Sequence, residues 1–234
     1  MPGSLASATH GLIRTGHAVR ALREQETAPR RGELAQALGY WAARWLPAPA
    51  GPGAVAGAAG DRTAGAALDG LPVLGVAGGV RTRLAALGER ADWPVAVAAL
   101  ADVPGPDDVP AALTSLVDAA VTRYGRWAHG SPVMLVHAAT APRAAALVLP
   151  SLPRGLWAGT YRAAWSAAAA ITAAYRPAGP LPEPPAGATA QELAERAAGH
   201  GDEHVLKFAE VAVEAAARGV PTAVGAGLRA VALV

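Results

Sequence analysis

Three features of the sequence predict a mostly α fold, an irregular helical bundle with long Pro/Gly-rich loops. Apolar residues recur at helical spacing in several long segments. No alternating strand of useful length is present. Prolines and glycines collect between the periodic stretches.

The elements follow in order. Thr9 is placed to cap a helix from about His10 to Arg23, and Glu33 to Leu46 forms a second, with Trp41 and Trp45 one turn apart and Pro47 ending it. Residues 47 to 70 are too poor in large apolar groups to pack by themselves and read as a long surface loop. Gly75, Gly78 and Gly79 precede a short helix ending near Leu87. Trp93 to Leu100 is helical, and Val103 to Pro110 is a proline-punctuated loop. In Ala111 to Trp127, the residues Leu113, Leu116, Val117, Ala120, Val121 and Tyr124 give a clear amphipathic stripe. Pro132 to Leu149 is an apolar helix with Pro142 as a kink or break inside it. Gly155 to Tyr175 is a long helix, and residues 177 to 188 form a proline-rich linker. Ala190 to Ala198 and Asp202 to Arg218 are the last two strong helices, the second stopped by Gly219 and Pro221.

Composition narrows the function classes. The length suits one domain spanning residues 1 to 234, with 52% apolar and 16% charged residues, a balance that argues against disorder. A net charge of +2 is small and does not point to a basic face, so it gives nucleic-acid binding little support. Without cysteine there is no disulfide, thiolate zinc site or iron–sulfur cluster. Met1 to Ala8 lacks the pattern of a signal peptide. Leu156 to Tyr175, the best membrane candidate, contains Arg162 and is mostly alanine, so it reads as a buried helix. The expectation is a soluble, cytoplasmic protein with no membrane partner.

Two residue types carry the chemistry. Of 20 Lys+Arg, one is lysine (Lys207) and 20 − 1 = 19 are arginine. Arginine stays protonated, whereas a partly buried lysine can lose its proton, and a neutral amine can add carbon dioxide to become an oxygen-donor carbamate. The competing reading pairs Lys207 with Glu203 at i,i+4 or with Glu210 at i+3. The histidines are His10, His17, His129, His137, His200 and His204. His10 and His17 lie within about 20° of one helix face and roughly 10 Å apart at the backbone, so their rings meet only by leaning together. His137 sits in an apolar run, where a neutral imidazole needs a partner. His204 and Lys207 are about 60° apart on one helix. Imidazoles and an anionic oxygen projecting from separate helices into a bundle core make a metal centre, and that donor set favours redox iron over structural zinc. His129 reads as an exposed loop residue, and His200 as a loop residue or a cap at a helix start.

Taken together, Thr9 to Arg20, Val136 to Ala144 and Gly201 to Phe208, with Glu33 to Trp41 between the first two, resemble the questin oxidase-like family in order and separation. The resemblance implies a mostly helical oxygenase acting on polycyclic aromatic ketones or quinones. Members include Baeyer–Villiger-type, NADPH-linked enzymes of polyketide pathways, and a non-haem iron dioxygenase with four histidine ligands and a carboxylated lysine. On the matching segments, the implied ligands are His10, His17, His137, His204 and Lys207. The implied cofactor is Fe(II), with NADPH as a possible reductant and dioxygen as co-substrate. Family members carry about a hundred further residues upstream, so the resemblance also implies truncation at the N-terminus. That opens the alternative of an inactive or partner-dependent helical module, completed by an oligomer or another chain. A metal-free, NADPH-dependent Baeyer–Villiger-type oxidase is a further alternative.

No flavin or nicotinamide motif competes. Gly225-Ala226-Gly227 is followed by too few residues for a dinucleotide-binding helix, and both glycine clusters read as turns. Trp157, Tyr161 and Trp165 share one helix face. They serve core packing or form the wall of a flat aromatic substrate site.

Overall fold

The computed structural model describes residues 3–50, 60–184 and 187–234. Among them it is all-α, with no sheet or barrel: α1 (His10–Glu24), α2 (Ala28–Ala43), α3 (Ala64–Asp69), α4 (Val80–Gly88), α5 (Trp93–Ala98), α6 (Val109–Trp127), α7 (Pro132–Val148), α8 (Trp157–Tyr175), α9 (Ala190–His200), α10 (Glu203–Ala217) and α11 (Ala223–Leu233). Extended pairing is confined to two isolated bridges, Gly60 to Ala101 and Arg62 to Leu100.

The centre of the bundle is α7, which packs against α1, α6, α8 and α10. Its sequence explains the position: from Leu135 to Pro142 every residue is buried, so it is apolar all round rather than on one face. The helix runs through Pro142 without ending. By length and composition Pro132–Ser151 could cross a membrane, yet two-thirds of that window (67%) is buried inside the bundle. This stretch, rather than Leu156 to Tyr175, meets the membrane criterion, and its apolar character is accounted for by its neighbours. The small side chains of α8 let it seat closely on α7, and the amphipathic stripe of α6 (Leu113, Leu116, Val117, Val121) is fully buried.

Close approach at two glycines places α1. A Cβ on Gly16 would lie 2.9 Å from the Ala144 backbone of α7, and one on Gly11 would lie 2.9 Å from Trp41 of α2. Those contacts hold both histidines of α1 against the bundle.

Several expected boundaries change. The segment from 47 to 70 is not loop throughout: Thr63 caps α3, whose Ala64, Ala67 and Leu68 are buried, so small apolar residues pack once larger ones on α6 cover them. Residues 51–59 of that segment lie outside the described residues. The second helix starts earlier, at a Thr27 cap with Pro29 in its first turn, and stops at Ala43. The glycines at 225 and 227 are inside α11 and not in a turn; a Cβ on Gly227 would come within 2.4 Å of the Leu193 side chain in α9, which would have to shift to admit it.

Two buried phenols make the fold sensitive to alkali. Burial, aided by Asp102, pushes Tyr161 up to about 12, and burial raises Tyr124 as well. A folded value above the unfolded value of about 10 contributes stability that is complete below pH 10 and fades as pH rises through the folded value. The midpoint of thermal unfolding is expected to fall between about pH 10 and pH 12, and to fall less in Tyr124→Phe/Tyr161→Phe. Parallel declines in the two proteins would refute the assignment.

Candidate metal centre

His10, His137 and His204 come together from α1, α7 and α10, with one ring nitrogen of each within 4.8 Å of the others. The ring centroids are 4.6 Å (His10–His137), 5.6 Å (His137–His204) and 6.0 Å (His10–His204) apart, and each pair is nearly perpendicular. Edge-on rings around a common point are what nitrogen ligation requires, since the lone pair lies in the ring plane.

The partners of the other nitrogens fix which atom each ring presents. His10 Nδ1 lies 2.6 Å from the Ser7 carbonyl, which can only accept, so Nδ1 carries the proton and Nε2 the lone pair. His204 Nδ1 lies 3.3 Å from the Asp202 carboxylate and takes the same tautomer. His137 Nδ1 lies 3.1 Å from Thr9 Oγ1, while its Nε2 is buried and has no partner. Burial, reinforced by His10, His204 and Lys207, holds the His137 imidazolium far below its ordinary range, so the ring is neutral. The three rings therefore converge with Nε2 of His10 and His204 left free by their Nδ1 partners and Nε2 of His137 unpartnered. A buried polar atom without a partner, here His137 Nε2, costs free energy in the absence of a ligand. A divalent cation that accepts imidazole nitrogen fits the arrangement.

Local sequence dictates the geometry. Ser7, Ala8 and Thr9 all adopt positive φ (47°, 54° and 77°), a left-handed turn that costs about 1–2 kcal/mol per residue. The turn aims the Ser7 carbonyl and the Thr9 hydroxyl at two different histidines. Thr9 is thus not the side-chain cap of α1; its hydroxyl oxygen bonds His137 Nδ1 instead, and accepts the Nδ1 proton when Nε2 is the ligand atom. Trp41 donates to the Gly3 carbonyl and holds the turn from α2. On α10, the Asp202 carboxylate accepts from the His204 and Val205 amides as an N-cap and also reaches the His204 ring. Those amide bonds are the main cause of its depressed carboxyl pKa.

The remaining implied ligands stand apart from the trio. His17 does not join it: its Nδ1 accepts from the Arg20 guanidinium at 3.2 Å, drawing the ring along α1. Lys207 pairs with Glu203, the i,i+4 alternative, while Glu210 is taken by Arg20. Both His17 and Lys207 line a cavity of about 820 Å³ between α1, α2 and α10, and His10 forms the join between that cavity and the trio. Trp157, Tyr161 and Trp165 do not border the cavity. Tyr161 and Trp165 are buried, and the two tryptophans bond the Leu152 and Val97 carbonyls, which makes them packing residues rather than a substrate wall. His129 is exposed, and His200 ends α9, with its Nδ1 accepting from the Asp202 amide.

Comparison with known proteins found no matching family model, no matching curated protein and no matching solved structure.

Outer partners that fix tautomers are usually worth 10- to 100-fold in metal affinity. Thr9→Val is therefore expected to weaken Co²⁺ binding by about 10- to 100-fold, with Thr9→Ser close to the parent protein. Titration against a chromophoric chelator measures this, and equal affinities for all three proteins would show that the hydroxyl orients nothing.

Proposed function

We propose that this protein is a metal-dependent oxidoreductase, a non-haem oxygenase of the questin oxidase-like type acting on polycyclic aromatic ketones or quinones. The observation that carries this reading is the buried, unpartnered Nε2 of His137 in a trio whose ligand nitrogens lie within 4.8 Å of one another. When bound, a redox-active divalent ion such as Fe(II) supplies the chemistry that couples dioxygen to an organic substrate.

The chain's own residues hold and orient. His10, His137 and His204 would provide three nitrogen donors, and His10 also borders the cavity that would take the substrate. Ile13, Ala18 and Ala21 give that cavity apolar walls. Lys207 is the candidate fourth donor. Its neutral amine adds carbon dioxide: an N–C bond forms, one C=O π pair moves to oxygen, and a proton leaves to solvent. The carbamate replaces a cation with an anion near the imidazole trio, and its formation requires release of Glu203. The observed Lys207–Glu203 pair favours a second reading in which the three imidazoles hold the metal unaided.

Lys207→Arg separates these readings, since arginine keeps the Glu203 pair and cannot carboxylate. With Fe(II), dioxygen and an anthraquinone, the parent protein is expected to consume dioxygen in proportion to bound iron. In ¹³C-bicarbonate it is expected to show a carbamate resonance that the variant lacks. Iron binding without any dioxygen uptake by the parent protein across a panel of polycyclic quinones and ketones, with and without NADPH, would sink the oxygenase reading. Equal metal loading and equal turnover in the variant would sink the lysine role.

A further inference from the structure

We propose that His17 is not a metal ligand but a hydrogen-bond donor in the cavity, presenting its Nε2–H to the carbonyl oxygen of an uncharged organic molecule. The argument begins with Arg20. A guanidinium can only donate, so the Arg20 Nη2 contact makes His17 Nδ1 an acceptor, and the proton of the neutral ring must sit on Nε2. This is the opposite tautomer to the one His10 and His204 adopt, whose Nδ1 atoms face a carbonyl and a carboxylate. An N–H cannot ligate a cation, but it can bind an acceptor oxygen.

The tautomer is held from outside. Arg20 is anchored to Glu210 of α10, and α1 cannot slide because Gly16 rests on Ala144. Burial keeps the His17 imidazolium below its ordinary range; Arg20, Arg143 and Lys207 push the same way, against Glu210. No described residue accepts from Nε2, and the side chain borders the cavity that His10 joins to the trio. A neutral imidazole N–H facing the cavity is an electrophilic donor for a carbonyl, able to strengthen its bond as negative charge develops on oxygen.

The cavity also states what the ligand's charge is. Three cations (Arg14, Arg20, Lys207) are matched by three carboxylates (Glu24, Glu33, Glu203), and Arg14 is already held by Glu33. No net charge is left to select an anion or a cation. An apolar body with a carbonyl acceptor is the chemistry that remains, within about 820 Å³.

This inference rests on the trio being the metal centre beside a substrate cavity, and the test keeps the two apart. Co²⁺ affinity is measured for the parent protein, His17→Leu and His17→Gln. Binding of 1,4-naphthoquinone and of naphthalene, which lacks the carbonyls, is measured on the same proteins. His17→Leu is expected to hold Co²⁺ within about threefold of the parent, since an outer residue that orients no ligand carries little of the affinity. It is expected to bind naphthoquinone about tenfold more weakly, the size of one neutral hydrogen bond, and naphthalene unchanged. His17→Gln, which keeps an N–H donor, is expected to recover most of the quinone affinity. The bound quinone's C=O stretch should be lowered in the parent protein and in His17→Gln but not in His17→Leu. Loss of Co²⁺ by more than about 100-fold in His17→Leu would make His17 a ligand and overturn the inference while leaving the metal centre standing. Unchanged quinone affinity and C=O stretch in His17→Leu would overturn it too, and a parent protein without a Co²⁺ site would remove the reading beneath it.

Discussion

Replacing His137 is expected to abolish tight divalent-metal binding while leaving a folded helical protein. The parent protein should take up one equivalent of Co²⁺. His137→Ala and His137→Gln should both lose more than about 100-fold in affinity, beyond what an outer-shell change costs. His137 is the member of the trio with no other use: it is 2% exposed, its Nε2 has no partner, and it sits on α7, which packs against α1, α6, α8 and α10. His10 and His204 reach solvent more easily, so their loss is more readily covered by water. Linkage gives an independent readout. At a free metal concentration of about 100 times the dissociation constant, the parent protein gains roughly 2.7 kcal/mol of stability, visible as a raised unfolding midpoint, and the variants gain none. The glutamine variant guards against a trivial result, because it nearly fills the imidazole volume and keeps a polar atom for Thr9. Metal affinity in either variant equal to that of the parent would remove His137 from the centre.

Most of the architecture was legible because it depends on local pattern. The stripe of α6, the pair of helices after residue 190 and the absence of strands all follow from the spacing of apolar residues. The errors share a cause. Residues 64 to 69 and 223 to 233 contain few large side chains, so nothing in their own sequence marks them as core. They become helices because Leu193, α6 and α10 supply the bulk that they lack. At the site, the histidines that converge were readable from His137 in its apolar run and from the helix bearing His204. The separation of His17 from the trio was not, because it depends on Arg20 competing for the ring, an interaction between side chains three residues apart that the spacing of histidines does not register. Thr9 was readable as a cap and is instead a positioning residue: three successive left-handed residues turn its hydroxyl away from its own helix. Asp202 carried a usable signal, since an acidic cap two residues ahead of a histidine can serve both the helix and the ring.

Phe208→Ala is expected to produce the largest loss of stability of any single truncation at the site's edge, about 3–5 kcal/mol. The ring is fully buried and lies 4.1 Å from Tyr124, tilted by 38°, so that it pins α10 to α6. Truncation removes the transfer free energy of the ring, leaves a cavity that two packed helices cannot collapse, and ends the aromatic contact. Against a total stability of about 5–15 kcal/mol for a domain, that loss brings the chain close to its unfolding threshold. Phe208→Leu, which keeps most of the volume, should cost less than about 1.5–2 kcal/mol. Urea denaturation of the metal-free proteins measures both. Phe208 also adjoins Lys207 and lies one helical turn beyond His204, so the position of two candidate donors depends on this one side chain. Freed from Tyr124, α10 can shift away from α1 and α7 and open the trio. The alanine variant should therefore bind Co²⁺ more weakly even under conditions where it remains fully folded, with the leucine variant in between. Stability lost without any change in metal affinity would mean that α10 is held in register by its Asp202 cap and by α9 and α11 alone, and that the core behind the centre does not set its geometry.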